Sequence, residues 1–332
     1  MRIIIPMAGI GKRMRPHTLT IPKPLIPVAG KPIVQWLVED LAKMCKGKVE
    51  EIGFVIGDFG KEVEDNLLHI AKQAGAVGKI YYQNEALGTA HAILCAQDML
   101  KGNIIVAFAD TLFNADFNIE QNEDGIIWVH KIEDPRQFGV VVADKQGVIT
   151  AFLEKSPTFV SDLAIIGVYY FKDGEYLRQQ LQYLIDNSIK DKGEYQLTSA
   201  LENMKNKGAK LKVGNVKEWL DCGNKEATVY TNQRMLELKN IHTNGTLNRE
   251  NALIIEPCFV GKDVVIRHSV IGPYVSIGEK CLIENSVIKN SIIQNNTIIK
   301  NRIIENSMIG SQVKLSSPTE DLNIGDYTVQ ST

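Results

Sequence analysis

The sequence predicts an α/β domain on a mixed, mostly parallel sheet, followed by a left-handed β-helix. Three observations carry that prediction. The first two thirds of the chain alternate short apolar runs with helix-length amphipathic stretches. The first apolar run, Ile3–Ile5, breaks directly into a glycine-led loop, MAGIGKRM. Beyond residue 250 the apolar residues recur every five or six positions, a period that is neither helical nor that of an ordinary strand.

The elements follow in order. Strands are expected at 2–7, 51–56, 79–82, 104–109 and 125–130, and helices at 33–45, 60–73 and 88–100. Strand and helix in alternation imply βαβ units and a Rossmann-like sheet. From 138 the texture becomes antiparallel. FGVVVADKQGVITAFLEK predicts a hairpin turning at Lys145-Gln146-Gly147, and AIIGVYYF a strand at 164–171. Helices at 174–188 and 195–207, a strand at 210–216 and a helix at 224–239 complete a domain over 1–240. Residues 240–250 read as a linker. In 251–315 the apolar positions 255, 260, 266, 271, 277, 283, 288, 293, 299, 304 and 309 fit short β rungs with Asn, Gly, Glu and Lys corners, one aliphatic per face. Three faces per coil give roughly three to four coils, with the five-residue steps requiring tighter corners than a strict hexapeptide. Residues 316–332 read as a tail.

Composition narrows the function classes. The 332 residues are 44% hydrophobic and 23% charged with a formal charge of −2, so no global basic field points to nucleic acid. The five cysteines are scattered and form no CxxC, which suggests neither a zinc site nor a disulfide framework. No apolar run approaches the roughly 20 residues of a membrane span. A cytoplasmic protein is expected.

The opening loop tests against three kinds of phosphate loop. A Walker loop needs Ser or Thr after Gly-Lys and a glycine five residues earlier. Here Arg13 follows Lys12, and Pro6 stands where that glycine should be. A dinucleotide fingerprint needs a third glycine where Met14 stands. A bare strand-to-helix turn stays open and would explain one glycine, but it does not account for Arg13 and the proline-framed Lys23. The reading that accounts for all of them is a long loop wrapping a triphosphate. In it Ala8, Gly9 and Gly11 bring backbone N–H groups to phosphate oxygens, Arg13 and Lys23 add positive charge, and Pro22 and Pro24 stiffen the chain around Lys23.

AGIGKRM followed by PKPLIPVAGKP resembles the sugar-1-phosphate nucleotidylyltransferases, whose pattern is near AGxGTRLxPxTxxxPKPLxPVxGKP. Lys12 replaces the usual Thr and His17 a frequent Leu. Further motifs run in the same order through residue 240. YQNEALGTAHAI is similar to the nucleobase loop, which implies nucleotide-binding roles for Gln83, Gly88 and Thr89, with Gln83 on the base edge. IIVAFADTLF implies that Asp110 is the first metal carboxylate, although Ala109 replaces the usual preceding Gly. FGVVVAD and FLEK imply that Gly139, Glu154 and Lys155 serve the sugar and its phosphate, with Ser156 inserted before Pro157. SDLAIIGVYYF implies a sugar contact at Asp162, where the family usually has Asn. GEYQLTSAL adds Glu194 to the sugar side. WLDCGNKE implies that Asp221 is the second metal carboxylate. The implied fold is that of the nucleotide-diphospho-sugar transferases.

The resemblance implies transfer of a nucleotidyl group from an NTP to a sugar 1-phosphate with loss of pyrophosphate. Mg²⁺ would lie on Asp110 and Asp221, and Arg13, Lys23, Asp110 and Asp221 would carry the catalysis. The attacking phosphate is already ionised, so positioning and charge neutralisation should suffice. dTTP or UTP with glucose 1-phosphate is favoured. Guanylyl transfer to mannose 1-phosphate and uridylyl transfer to N-acetylglucosamine 1-phosphate stay open. Two other classes compete. One is acyl transfer by the β-helix, which His268, its only histidine, serves poorly. The other is a non-catalytic regulatory or scaffold subunit. Partners are an NTP and a sugar 1-phosphate, with no nucleic acid or membrane, and a homo-oligomer formed through the β-helix. Trp36, Trp128 and Trp219 read as core, Cys222 as packing, and His91 and His268 as structural.

Overall fold

A computed structural model describes residues 1–45, 49–115, 123–243 and 248–318. The contacts divide the chain into two compact units. One is Met1–Pro27 with Lys31–Thr231, the other Val28–Gly30 with Asn232–Thr332. The division thus falls inside a helix, ahead of the linker suggested by composition. Most of the expected tail, and 244–247 of that linker, lie outside the described residues.

The elements that begin in the first unit are β1 (Arg2–Pro6), the two-residue strands β2 (Pro27–Val28), whose second residue belongs to the other unit, and β3 (Lys31–Pro32), α1 (Ile33–Met44), β4 (Glu51–Ile56), α2 (Lys61–Gln73), β5 (Val77–Tyr82), α3 (Thr89–Leu94), β6 (Ile104–Ala107) and β7 (Thr111–Asn114). Then come β8 (Gly125–Lys131), β9 (Gly139–Ala143), β10 (Ile149–Glu154), β11 (Leu163–Phe171), α4 (Gly174–Asp186), α5 (Leu197–Asn206), β12 (Leu211–Asn215), β13 (Glu218–Asp221) and α6 (Lys225–Leu238), whose second half belongs to the other unit. The main sheet has the order β10-β9-β11-β6-β1-β4-β5, with β8 on β11 and β12 on β8. The β6-β1-β4-β5 portion is parallel. Ile3, Ile4 and Ile5 are fully buried, as befits a strand covered on both faces.

Two elements depart from expectation. The helix expected over 88–100 stops at Leu94, and a 3-10 turn, Gln97–Met99, replaces its second half. Its i→i−3 bonds, Ala96 N–H to Ile93 O and Met99 N–H to Ala96 O, sink Met99 and Leu100 into the core. The run read as one strand over 104–109 ends at Ala107. The chain then turns at Asp110 and continues as β7, which pairs antiparallel with β13, Asp221 facing Thr111.

The second unit is a three-faced parallel β-helix, with sheets of five, four and four short strands. Ile266 faces Ile283, 17 residues on, and Ile283 faces Ile299, 16 residues on. Coils of 16 or 17 residues, rather than 18, explain the five-residue steps. The tighter corners sit at left-handed residues, among them Asn285, Asn290, Asn296, Asn301 and Asn306. Asn tolerates that conformation best after Gly. Stacked corners bond to each other, as Asn285 Nδ2–H to Asn301 Oδ1 does at 3.1 Å. Ser286 Oγ accepts the Arg302 N–H and donates to Glu284 O, so the corner satisfies its own polar groups. Gly30, at φ +85°, lies so close to Phe259 that a Cβ would come within 2.4 Å of the ring, and Ala29 N–H donates to the fully buried Asn232.

Candidate active site

The parallel strands determine where side chains converge. Gly9 follows β1, Gln83 follows β5 and Asp110 follows β6, so all three emerge at the carboxyl ends of adjacent or near-adjacent strands. In open α/β sheets that edge is where ligands bind. A cavity of about 400 Å³ lies there, lined by Ala8, Gly9, Gly11, Lys12, Arg13, Lys23, Gln83, Gly88, Thr89, Asp110, Glu194 and Gly223 among others. A second cavity, of about 500 Å³, is lined by Gly139, Glu154, Lys155, Tyr169, Glu194, Thr198, Trp219 and Asp221, and shares Arg13, Thr89, Phe108, Asp110 and Glu194 with the first. The two cavities therefore meet at Arg13 and Asp110.

Gly11 earns its place conformationally. It holds φ +59°, and a Cβ there would press on Thr18 and Lys23 at 3.0 and 3.1 Å. Thr18 fixes the loop by donating its hydroxyl to Gly11 O at 2.8 Å. Gly9 differs, because no atom lies within 4 Å of where its Cβ would be. That space opens on the cavity.

Lys23, almost buried, sits 2.8 Å from Asp110 Oδ2. Asp110 is tied to the Asp221 segment by the Cys222 N–H, which donates to Asp110 O at 3.0 Å. Burial, and then the Asp110 charge, hold the Asp221 carboxyl above the usual carboxylate range. Two neighbouring carboxylates, with Asp110 balanced by Lys23, suit a hard divalent cation, which takes oxygen ligands and is commonly held by one or two carboxylates plus phosphates. No group of three or more His, Cys, Asp or Glu residues placed to hold a metal ion is found among the described residues, so any cation there would rest on this carboxylate pair together with oxygens of its ligand. Cys222, fully buried beside Asp221, has its thiol pushed up to about 12 by burial, so it packs rather than reacts.

In the second cavity, Gly139 allows the Glu154 carboxylate to approach, since a Cβ would stand 3.0 Å from Oε2. Thr198 donates to the same oxygen at 3.2 Å. Lys155 sits at φ +46°, and Lys192 Nζ donates to the carbonyls of Glu154 and Lys155 at 3.0 and 2.8 Å, holding that turn. Glu194 is oriented by Gln196, which donates to Oε2 at 2.9 Å. Gln196 in turn accepts from the Thr89 hydroxyl at 3.1 Å, while Thr89 Oγ1 accepts the Leu197 N–H. Thr89 thus lines both cavities but spends its hydroxyl on coupling the two loops.

Asp162 is the expected site residue that lines neither cavity. Its carboxylate faces Lys131 Nζ at 3.6 Å. Trp219, read as core, is instead half-buried on the second cavity, with its indole N–H on Thr111 Oγ1 at 2.7 Å and its ring edge-on to Phe138. Trp36 and Trp128 are buried as expected. Sequence reading also passed over Gly223, Gln196, Thr198 and Lys192. GEYQLTS and DCG carried the first three, flanking residues already singled out. Nothing local marked Lys192.

A family model described as nucleotidyl transferase matches residues 2–237. The low-salt glycan biosynthesis nucleotidyltransferase Agl11 of Haloferax volcanii is 31% identical over 75% of this chain and 70% of its own. A glucose-1-phosphate thymidylyltransferase of Streptomyces antibioticus is 29% identical over 86% of this chain and 85% of its own. The bifunctional protein GlmU of Methanocaldococcus jannaschii is 30% identical over 76% of this chain, which spans 59% of that longer protein. In fold, a UDP-glucose pyrophosphorylase solved with UDP-glucose superposes with a TM-score of 0.60 at 22% identity, covering 71% of this chain and 98% of that one.

Proposed function

The chain belongs to the nucleotidyl transferase family, and from that premise we propose that it joins a nucleoside triphosphate, dTTP or UTP, to a sugar 1-phosphate, glucose 1-phosphate, with release of pyrophosphate. The observation that carries this reading is the pair of cavities meeting at Arg13 and Asp110. One would take the triphosphate and the other the sugar phosphate, with the reacting phosphorus at their junction. The thymidylyltransferase relative, matched over most of both chains, favours the substrate pair.

In the step, an oxygen of the sugar phosphate forms a bond to the α-phosphorus while the bond from that phosphorus to the bridging oxygen breaks. Pyrophosphate leaves with the electron pair. The obstacle is repulsion between two polyanions, so the task of the chain is to place and neutralise. Gly9 and Gly11 admit the triphosphate to the backbone. Arg13 and Lys23 oppose charge on the triphosphate and on the leaving pyrophosphate. Lys155 holds the attacking phosphate, and Glu154 and Glu194 accept from sugar hydroxyls. Asp110 and Asp221 would hold Mg²⁺, which supplies positive charge across the phosphates when bound.

The test is pyrophosphate release across the NTPs crossed with a panel of sugar 1-phosphates in the presence of Mg²⁺. Asp110→Asn and Asp221→Asn are expected to lower turnover by at least a thousandfold with circular dichroism unchanged. No release from the wild type with any pair overturns the reading, and wild-type release from either variant overturns the role given to the carboxylates. We also propose that the β-helix assembles copies of this chain, on the strength of an aliphatic column, Leu253, Val270, Val287 and Ile303, stacked on one outer face.

A further inference from the structure

We infer that His91 sets nucleobase selectivity by locking the side-chain amide of Gln83, so that the site takes a base presenting a ring N–H at its Watson–Crick edge. The inference rests on reading the cavity as a nucleotide site.

The Gln83 backbone is anchored first, because its N–H donates to Ile56 O at 2.8 Å and continues the pairing of β5 with β4. Its side chain carries one amide nitrogen with two hydrogens and one oxygen with two lone pairs. The nitrogen lies 3.1 Å from the carbonyl oxygen of Gly88 and 3.1 Å from Nδ1 of His91. A carbonyl can only accept, so the Gly88 contact takes one amide hydrogen. An amide nitrogen can only donate, so the His91 contact takes the other. His91 must therefore offer a lone pair at Nδ1 and carry its proton on Nε2. Both amide hydrogens are used inside the protein. What Gln83 retains for a ligand in the cavity it lines is Oε1, an acceptor.

The two locks do different work. The Gly88 carbonyl belongs to a loop pinned to the segment before α5. Tyr195 N–H donates to Leu87 O at 2.8 Å, Ala90 N–H to Tyr195 O at 2.9 Å, and a Cβ on Gly88 would come within 2.5 Å of Tyr195 O. That loop fixes which way round the amide stands. His91, in the first turn of α3, removes the remaining donor. Without it, one N–H of Gln83 is free to turn to the cavity, and the side chain offers both donor and acceptor.

The ring atom that meets a lone Oε1 at the centre of the base edge has to donate. Uracil and thymine carry N3–H there and guanine N1–H, whereas cytosine and adenine carry a lone pair at N3 and N1 and offer a donor only from the exocyclic amine at the end of the edge. A lone pair facing Oε1 is left unpaired, a mismatch worth about 1–3 kcal/mol, or roughly five- to 150-fold in affinity. His91 touches Gln83 rather than the ligand and is a positioning residue.

Equilibrium titration with UTP, CTP and tripolyphosphate tests this on the full chain, using wild type, His91→Leu and His91→Asn. The wild type is expected to bind UTP at least tenfold more tightly than CTP. His91→Leu should shrink that ratio at least fivefold, mainly through tighter CTP. His91→Asn, whose Oδ1 falls near the Nδ1 position, should restore the ratio. Tripolyphosphate, having no base, should bind all three alike. An unchanged ratio in both variants overturns the role of His91 while leaving the nucleotide site intact. Equal or preferred CTP binding by the wild type overturns the donor-edge reading. Failure of the wild type to bind any of the three probes overturns the nucleotide site itself.

Discussion

A Cβ built on Gly223 would lie 2.8 and 3.0 Å from the Asp221 carboxylate oxygens and 3.1 Å from Arg13 Nη2. Gly223 has an ordinary backbone conformation, so its constraint is space. A methyl group there must push either the carboxylate or the guanidinium, two groups that meet where the cavities join. Gly223→Ala should therefore lower kcat at least tenfold, about 1.4 kcal/mol in the barrier, while the melting temperature moves little. Steady-state kinetics beside a thermal melt check both halves. The same residue shows why some of the site was legible and some was not. Asp110, Asp221, Lys23 and Arg13 announce themselves by charge within unusual motifs. Gly223, Gln196 and Lys192 act by leaving space or by holding a neighbour, and those roles exist only once the neighbour's position is known. Asp162 shows the converse, since a motif placed it beside the sugar while its carboxylate faces Lys131.

Elements were read best where a single period ran long enough. The parallel strands and α1, α2, α4 and α5 fall within a few residues of expectation because burial on one face or two writes the pattern directly. The β7–β13 pair was missed because each strand has four residues and its partner lies about a hundred residues away. The β-helix was visible through its period, but its corners explain its shape. Asn301 holds φ +55°, accepts from Asn285 Nδ2 at 3.1 Å and donates to Ser317 O at 3.1 Å. Asn301→Val places a β-branched residue in the left-handed region and cuts both bonds, and should cost about 2–3 kcal/mol. Asn301→Gly loses the same bonds but no backbone strain, and should cost about 1 kcal/mol. Denaturant unfolding of the two variants separates strain from bonding. If both cost the same, the left-handed corner carries no strain.

The second unit also raises a question about the assembled protein. On one sheet of the β-helix, Leu253, Val270, Val287 and Ile303 stack in register, one per coil, along the full height of the face. Leu253 is 57% exposed, Val287 43% and Ile303 86%. An aliphatic column of this kind left in water supports the proposed assembly. The neighbouring sheet is unlike it, carrying Arg267, Glu284 and Lys300 in a ladder of ion pairs. A second copy of this chain is the occupant that fits the column. It offers rungs at the same spacing, and a symmetric pairing sets aliphatic against aliphatic throughout. Charge does not oppose it, since Lys289 and Glu305, beside the column, neutralise each other at 3.0 Å within one chain. The wild type should therefore run as a dimer or higher oligomer at micromolar concentration in analytical ultracentrifugation. Val287→Lys with Ile303→Glu, which buries charge in that contact, should give monomers with unchanged circular dichroism, and kcat/KM should fall less than threefold because every residue lining the two cavities lies in the first unit. A monomeric wild type, or a double variant that still assembles, would remove this face as the contact.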